Sequence, residues 1–286
     1  MTALSENVAA AFIKACLAEL DAPKPGNVHR FAPGHGMSVA DFVRSAEASA
    51  GAIATPGGRL GARVREAVTA TRAAVGQNTN LGIILLCAPL AAAAEIEGVP
   101  LRAAVARVLE GLDATDARDV FAAIVEANPG GLGRVDRHDV HAPVAATLRE
   151  AMAEAADRDR IARQYSSAFE DVFSLGIPAL QAARLRQVFP RWQTLEVYLT
   201  YLAVLPDSHV QRKFDAATAE ATRHEGALMR EAYFDASDPA AMVKKLLAFD
   251  ASLKARGINP GTSADLTVAT LFAKSLAALR GDDLAL

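Results

Sequence analysis

The chain reads as all-α, a single compact multi-helix bundle of roughly ten to twelve helices spanning residues 1–286. Three observations predict this. Apolar residues recur at three- and four-residue spacing along nearly the whole chain, and strand-like alternation is almost absent. Alanine, leucine, valine and isoleucine dominate a hydrophobic fraction of 51 %, and aromatics make up only 6 % of the chain. That mixture suits close helix packing, because alanine lets axes approach and favours the helical backbone. Finally, no Gly/Ser-rich or Pro-rich linker divides the chain and no repeat of fixed period appears, so one domain is expected.

Taken in order, Val8, Phe12, Ile13, Cys16, Leu17 and Leu20 form the stripe of a first helix, with Ser5 as a candidate cap. The run "SVAD" from Ser38 to Asp41 is a capping box opening the second, with a hydroxyl at the cap and a carboxylate three residues on. Further helices are predicted near 60–75, 81–96, 100–112, 115–127, 140–157, 159–175, 178–188, 191–205, 215–231, 239–256 and 264–280. In the 239–256 helix Asp238 is the N-cap, Pro239 sits in the first turn and Gly257 takes the position just past the end.

Charge and cysteines narrow the function. Thirty basic against 33 acidic residues give a net charge of −3, which offers no basic surplus for nucleic acid; a phosphate-bearing partner must be held by a local cluster. The longest apolar run, Leu81 to Ala94, is shorter than the ~20 residues of a membrane span and contains Pro89. Cys16 and Cys87 lie in apolar helical patterns without metal-ligand spacing, which suggests buried free thiols in a reducing compartment. The first residues lack a basic n-region, so the expected location is cytoplasmic.

The loops carry the chemistry. Five are unusually polar or glycine-rich: "PKPGNVHRFAPGHGM", "GQNTNLG", "NPGGLG", "LPDSHVQRKF" and "INPGTSAD". Lys24 and Arg30 pair a point charge with a planar fork, a combination suited to polyphosphate; the plainer alternative is a loop in which Lys24 and Arg30 are solvated and His29 acts as a cap. Asn78, Thr79 and Asn80 offer more polar groups than one helix cap needs, at a helix start whose free amides attract anions. Thr262 or Ser263 would cap the last long helix, with Asp265 in its first turn. Asp207 stands beside His209, Arg212 and Lys213, where it orients a base, binds magnesium or pairs with Arg212. Glu150, Glu154 and Asp157 fall at i, i+4 and i+7 on one helix face, with Asp159 just beyond, a pattern that reads either as a magnesium site or, more simply, as a solvated face interleaved with Arg149 and Arg158. No GxxxxGK[ST], GxSxG or HExxH is present, which leaves P-loop, hydrolase-elbow and zincin chemistry unsupported.

In order and spacing, "KPGNVHR", "GHGM" with "DFVRSA", "NTNLGIILL", "DSHVQRK" and "PGTSADLTVATLF" resemble the triphosphoribosyl-dephospho-CoA synthase family, from about Ala18 to Leu279. The resemblance implies an all-α transferase that moves the triphosphoribosyl group of ATP to the 2′-hydroxyl of 3′-dephospho-CoA and releases adenine, with Mg2+ assisting. Three departures stand out. The family's Asn-Thr-His-Lys/Arg-Gly is here Asn78-Thr79-Asn80-Leu81-Gly82. Its Gly-Leu-Val-Asp is Gly26-Asn27-Val28-His29, and its His-x-Asp-Met shrinks to His35-Gly36-Met37. These are similar to the divergent branch of methanogens and tetrahydromethanopterin-using methylotrophs. That similarity raises a second expectation, a phosphoribosyl donor and a pterin-type acceptor in one-carbon cofactor synthesis; a non-catalytic nucleotide-binding helical protein is a third.

On this resemblance Lys24, Asn27, Arg30, Asn78, Thr79, Asn80, Arg212, Lys213, Gly261, Thr262 and Ser263 are expected to bind the nucleotide and its phosphates. Asp207 or Asp265 would be the general base or a magnesium ligand, and His29 or His35 the donor to the leaving base. The expected partners are a nucleotide and a hydroxyl acceptor, without nucleic acid or membrane, and a homo-oligomer is compatible. Lys24, Asn78, Asp207 and Ser263 are expected to line one pocket.

Overall fold

A computed structural model describes residues 3–129, 140, 144, 146–236 and 238–282. These form fourteen α-helices and no strand: α1 (Ala3–Asp21), α2 (Val39–Ile53), α3 (Leu60–Val75), α4 (Leu81–Ala93), α5 (Leu101–Glu110), α6 (Ala114–Ala127), α7 (Leu148–Ala155), α8 (Arg160–Ser166), α9 (Ile177–Leu185), α10 (Pro190–Val204), α11 (Ser208–Lys213), α12 (Ala216–Asp235), α13 (Val243–Ala255) and α14 (Gly261–Arg280). The all-α expectation holds, with slightly more helices than the ten to twelve anticipated. None of the described helices is long and apolar enough to cross a membrane.

The helix at the centre is α4. Its apolar side chains run right round the axis and all but Gly82 and Ala92 are buried, the pattern of a helix enclosed by others rather than laid on a surface. It packs on α14, which packs in turn on α1, and α2, α3 and α5 complete the layer around α4. Pro89 interrupts α4 chemically without ending it. Proline has no N–H for the carbonyl four residues earlier, Leu85. The buried Tyr165 hydroxyl donates to that carbonyl instead, at 2.7 Å, so the acceptor that proline orphans is satisfied from α8.

Differences from the sequence reading have local causes. Ser5 lies inside α1 and does not cap it; its hydroxyl donates to Ala54 O at 2.7 Å and ties α1 to the end of α2. The predicted 159–175 helix breaks at Ala168 and Phe169, both in the left-handed region. There the Asp171 carboxylate gathers Arg160 and the Gln164 amide, and Phe169 drops into the core. A π-helical turn, Val172–Gly176, then leads into α9. The "DSHVQRK" loop is in fact α11. The Ser38–Asp41 capping box forms as read, and Gly257, at φ +70°, follows α13. Asp238 and Pro239 open a short 3-10 turn rather than an α-helix. Cys16 and Cys87 are buried and free. Of "NPGGLG", residues 130–133 lie outside the described residues.

Candidate active site

All five polar loops contribute to one cavity of about 520 Å3, within the range that encloses a small-molecule ligand. Asn27 and Met37 come from the first loop, Asn78 to Gly82 from the second and Pro129 from the third. His209, Gln211 and Arg212 come from the fourth, and Asn259, Gly261, Thr262 and Asp265 from the fifth. Glu19 of α1 and Asp159 at the start of α8 join them, while Phe42, Phe121, Ile124 and Met152 give one side of the cavity an apolar lining.

The first loop is pinned from below. Gly26 has φ +83°, and a side chain there would collide with Pro260 and Leu253, so only glycine fits. Its amide donates to Asp250 Oδ1 at 2.8 Å, the Tyr198 hydroxyl to Pro25 O at 2.6 Å, and the Asn27 amide to Asn259 Oδ1 at 2.8 Å. Lys24 is fully buried behind this wall. Its ammonium donates to Glu19 Oε1, to Asn27 Oδ1 at 3.0 Å and to Val28 O at 2.8 Å. Burial pushes Glu19 up and Lys24 down, and their attraction opposes both shifts. Three acceptor atoms surround the nitrogen and match the three N–H bonds of an ammonium, so Lys24 has no donor left for a phosphate.

The second loop answers to two helices. Asn78 Oδ1 accepts the Leu81 amide at 3.1 Å and caps α4. Thr79 bonds the Ser45 hydroxyl, and the Asn80 amide donates to Ser49 Oγ at 3.3 Å, both on α2. Thr262 and Ser263 do not cap α14. That function falls to Asp207, 56 residues earlier in the chain, whose Oδ2 accepts the Ser263 amide at 2.8 Å and hydroxyl at 2.9 Å. Its Oδ1 accepts the His209 and Val210 amides at 3.0 and 3.2 Å. One buried carboxylate thus holds the starts of α11 and α14 together. Gly261 keeps them close, since a side chain there would lie 2.5 Å from His209 Nδ1. Asp159 works similarly: Oδ1 caps α8 through the Ile161 and Ala162 amides, and Oδ2 meets Arg212 at 2.9 Å.

Asp265 is the exception among these acids. It faces the cavity from the first turns of α14, and among the described residues no donor reaches its carboxyl. A side chain on Gly82 would lie 2.0 Å from its Oδ2, so the bare glycine of α4 makes room for it. Burial, with Asp207 and Glu19 close by, pushes its pKa well above the carboxylate range. The carboxyl therefore holds its proton more tightly than an exposed aspartate does.

Of the expected residues, Asn27, Asn78, Thr79, Asn80, Arg212, Gly261, Thr262 and Asp265 line the cavity. Lys24, Asp207 and Ser263 stand behind its wall, so of the four expected to share a pocket only Asn78 faces it. Arg30 pairs with half-exposed Asp21, and Lys213 reaches Gly257 O at 3.3 Å; neither lines the cavity. His35 contacts Gly26 O through Nε2 at 2.8 Å, and His29 Nε2 is 3.4 Å from Asp250. Both rings support the loop from outside the cavity, and burial lowers their pKa values. Sequence reasoning missed Glu19, which falls on the helical stripe of α1 and looks like one more surface acid. Glu154 and Asp157 are solvent-exposed and Glu150 closes a capping box with Thr147.

A magnesium centre has a thin donor set here. No group of three His, Cys, Asp or Glu side chains among the described residues is placed to hold a metal. Glu19 is met by Lys24 and Asp159 by Arg212. A resident metal does not fit these residues; magnesium accompanying a nucleotide would arrive on its phosphates.

No curated protein is significantly similar in sequence. The fold is similar to that of a crystal structure from Archaeoglobus fulgidus described as a proposed triphosphoribosyl-dephospho-CoA synthase. The TM-score is 0.64 at 24 % identity, over 84 % of this chain and 99 % of that one. The sequence model for ATP:dephospho-CoA triphosphoribosyl transferase matches residues 5–283. A match over nearly the whole length, on the expected all-α fold, shows that the chain belongs to the ATP:dephospho-CoA triphosphoribosyl transferase family.

Proposed function

We propose that the cavity beneath the five loops is where this pentosyl transferase brings ATP and dephospho-CoA together, with Asp265 at the reacting centre. The observation that carries the reading is the convergence of all five loops on one cavity with the Asp265 carboxyl, met by no donor among the described residues, in its wall. A cavity of this size suits one ligand-sized body, so the two substrates meet there by their reacting ends.

Breaking the ribose C1′–N9 bond leaves negative charge on adenine and positive charge on the ribose. Proton delivery to the departing base and rigid placement of the acceptor hydroxyl both lower that barrier. Asp265, whose buried surroundings raise its hold on a proton, suits delivery to adenine. Arg212 and Arg158 at the wall, with the first-turn amides of α4, suit the polyphosphate. Asn27, Asn78, Asn80 and Asn259 supply neutral donors and acceptors for the sugar and the acceptor.

The test is adenine release from ATP and Mg2+ with and without dephospho-CoA. Release that depends on dephospho-CoA, and that is lost in Asp265→Asn, is expected. Adenine release indifferent to dephospho-CoA would overturn this reading, and release that requires a pterin-type ribitol acceptor would transfer the same chemistry to that substrate.

A further inference from the structure

Three carboxylates line the cavity, and two are already accounted for. Asp159 has one oxygen on the α8 amides and the other on Arg212. Asp265 has the acid role proposed above. Asp207, behind the wall, has both oxygens filled by four donors. Glu19 remains. It is 3 % exposed, lies on the cavity wall in the last turn of α1 and receives Lys24 on Oε1. Among the described residues Oε2 receives no donor.

We propose that Glu19 is the general base of the transfer, taking the proton of the acceptor hydroxyl, and that Lys24 is the positioning residue that keeps its carboxylate ionised and aimed. This rests on the cavity being the transferase site. The step balances within the cavity. The acceptor O–H proton passes to Glu19 Oε2 as the oxygen bonds to C1′. The C1′–N9 electron pair leaves on adenine, and adenine takes the Asp265 proton. A proton returning from Glu19 to Asp265 resets the pair. Two acids of one wall, one set against the Lys24 nitrogen and one met by no donor among the described residues, divide the base and acid roles between them. The cationic motif residue then has a job that explains its burial: Lys24 touches Glu19, Asn27 and Val28 and never the phosphates.

Stability and chemistry separate through two variants. Glu19→Gln strips the partner from a buried ammonium, so it is expected to lose stability as well as turnover. The double variant Glu19→Gln/Lys24→Met removes both charges together and is expected to recover the melting temperature while kcat stays down by about 100-fold or more, the scale of a lost general base. KM for ATP should move by less than about 3-fold in any of these that folds, and Glu19→Asp should restore part of kcat. A double variant that regains both stability and kcat would overturn the proposal, leaving Glu19 a structural partner. So would a folded Glu19→Gln with kcat within about 3-fold of wild type. Failure of the functional reading looks different: the wild-type protein itself would release no adenine with dephospho-CoA.

Discussion

Replacing Asp207 by alanine should cost stability far more than chemistry. Its carboxylate is 2 % exposed and accepts three backbone amides and one hydroxyl, at the starts of α11 and α14. A hydrogen bond to a charged group is worth about 1.5–3 kcal/mol. Four bonds on one carboxylate share its desolvation and do not add fully. A loss of about 3–5 kcal/mol follows, the scale of a buried charged network deprived of one partner. With a urea m-value of about 3 kcal/mol/M, the unfolding midpoint should fall by about 1–1.7 M. Asp207→Asn should cost less, because its carbonyl still serves one pair of amides while its NH2 opposes the other pair. Adenine release per folded molecule, measured well below the melting temperature, should stay within about 10-fold of wild type. An alanine variant of normal stability that turns over hundreds of times more slowly would refute this reasoning and return Asp207 to the chemistry.

Gly82→Ala should depress adenine release by about 10-fold or more with little loss of helicity, because the new methyl occupies the space of the Asp265 carboxyl; circular dichroism alongside turnover checks it. Asp265→Asn should raise the melting temperature near neutral pH. Its carboxyl is pushed up on folding, so the native state binds more protons and stability falls as pH rises from about 3.9 towards the raised value. The advantage of the variant should vanish below pH ~3.9, and scans across pH would expose a constant offset as a contradiction. Tyr165→Phe should cost about 1–3 kcal/mol by leaving the buried Leu85 carbonyl unpaired. Adding Pro89→Ala supplies the missing helical N–H and should recover part of that loss in a double-mutant cycle; strict additivity would sink the account of α4.

The helical class was legible because alanine-rich 3.6 periodicity is repeated along the chain, and local rules placed the capping box at Ser38 and the glycine after α13. The break at Ala168 and Phe169 was not legible, since it depends on Arg160, Gln164 and Asp171 meeting in space. The convergence of the polar loops could be anticipated from their excess of polar groups over what capping requires. Which side chains face inward could not. Asp207 looks like a catalytic acid beside a histidine, yet its partners lie 56 residues away at Ser263. Lys24 looks like a phosphate ligand, but its acceptors include a helix glutamate five residues back that no loop motif contains.

Glu19 and Asp265 sit near opposite ends of the chain, on helices that pack side by side, with Phe12 edge-on to Phe272 at 5.8 Å. Since 246 residues separate the two acids (265 − 19), a ribosome adding ~5–20 residues per second makes the second on the order of tens of seconds after the first. Throughout that interval the stripe of Phe12 and Cys16 has no α14 to cover it and the buried Glu19–Lys24 pair has no roof. Newborn protein is thus inert and sticky until its last helix arrives, and any truncation that removes α14 should yield aggregate rather than a weakened enzyme.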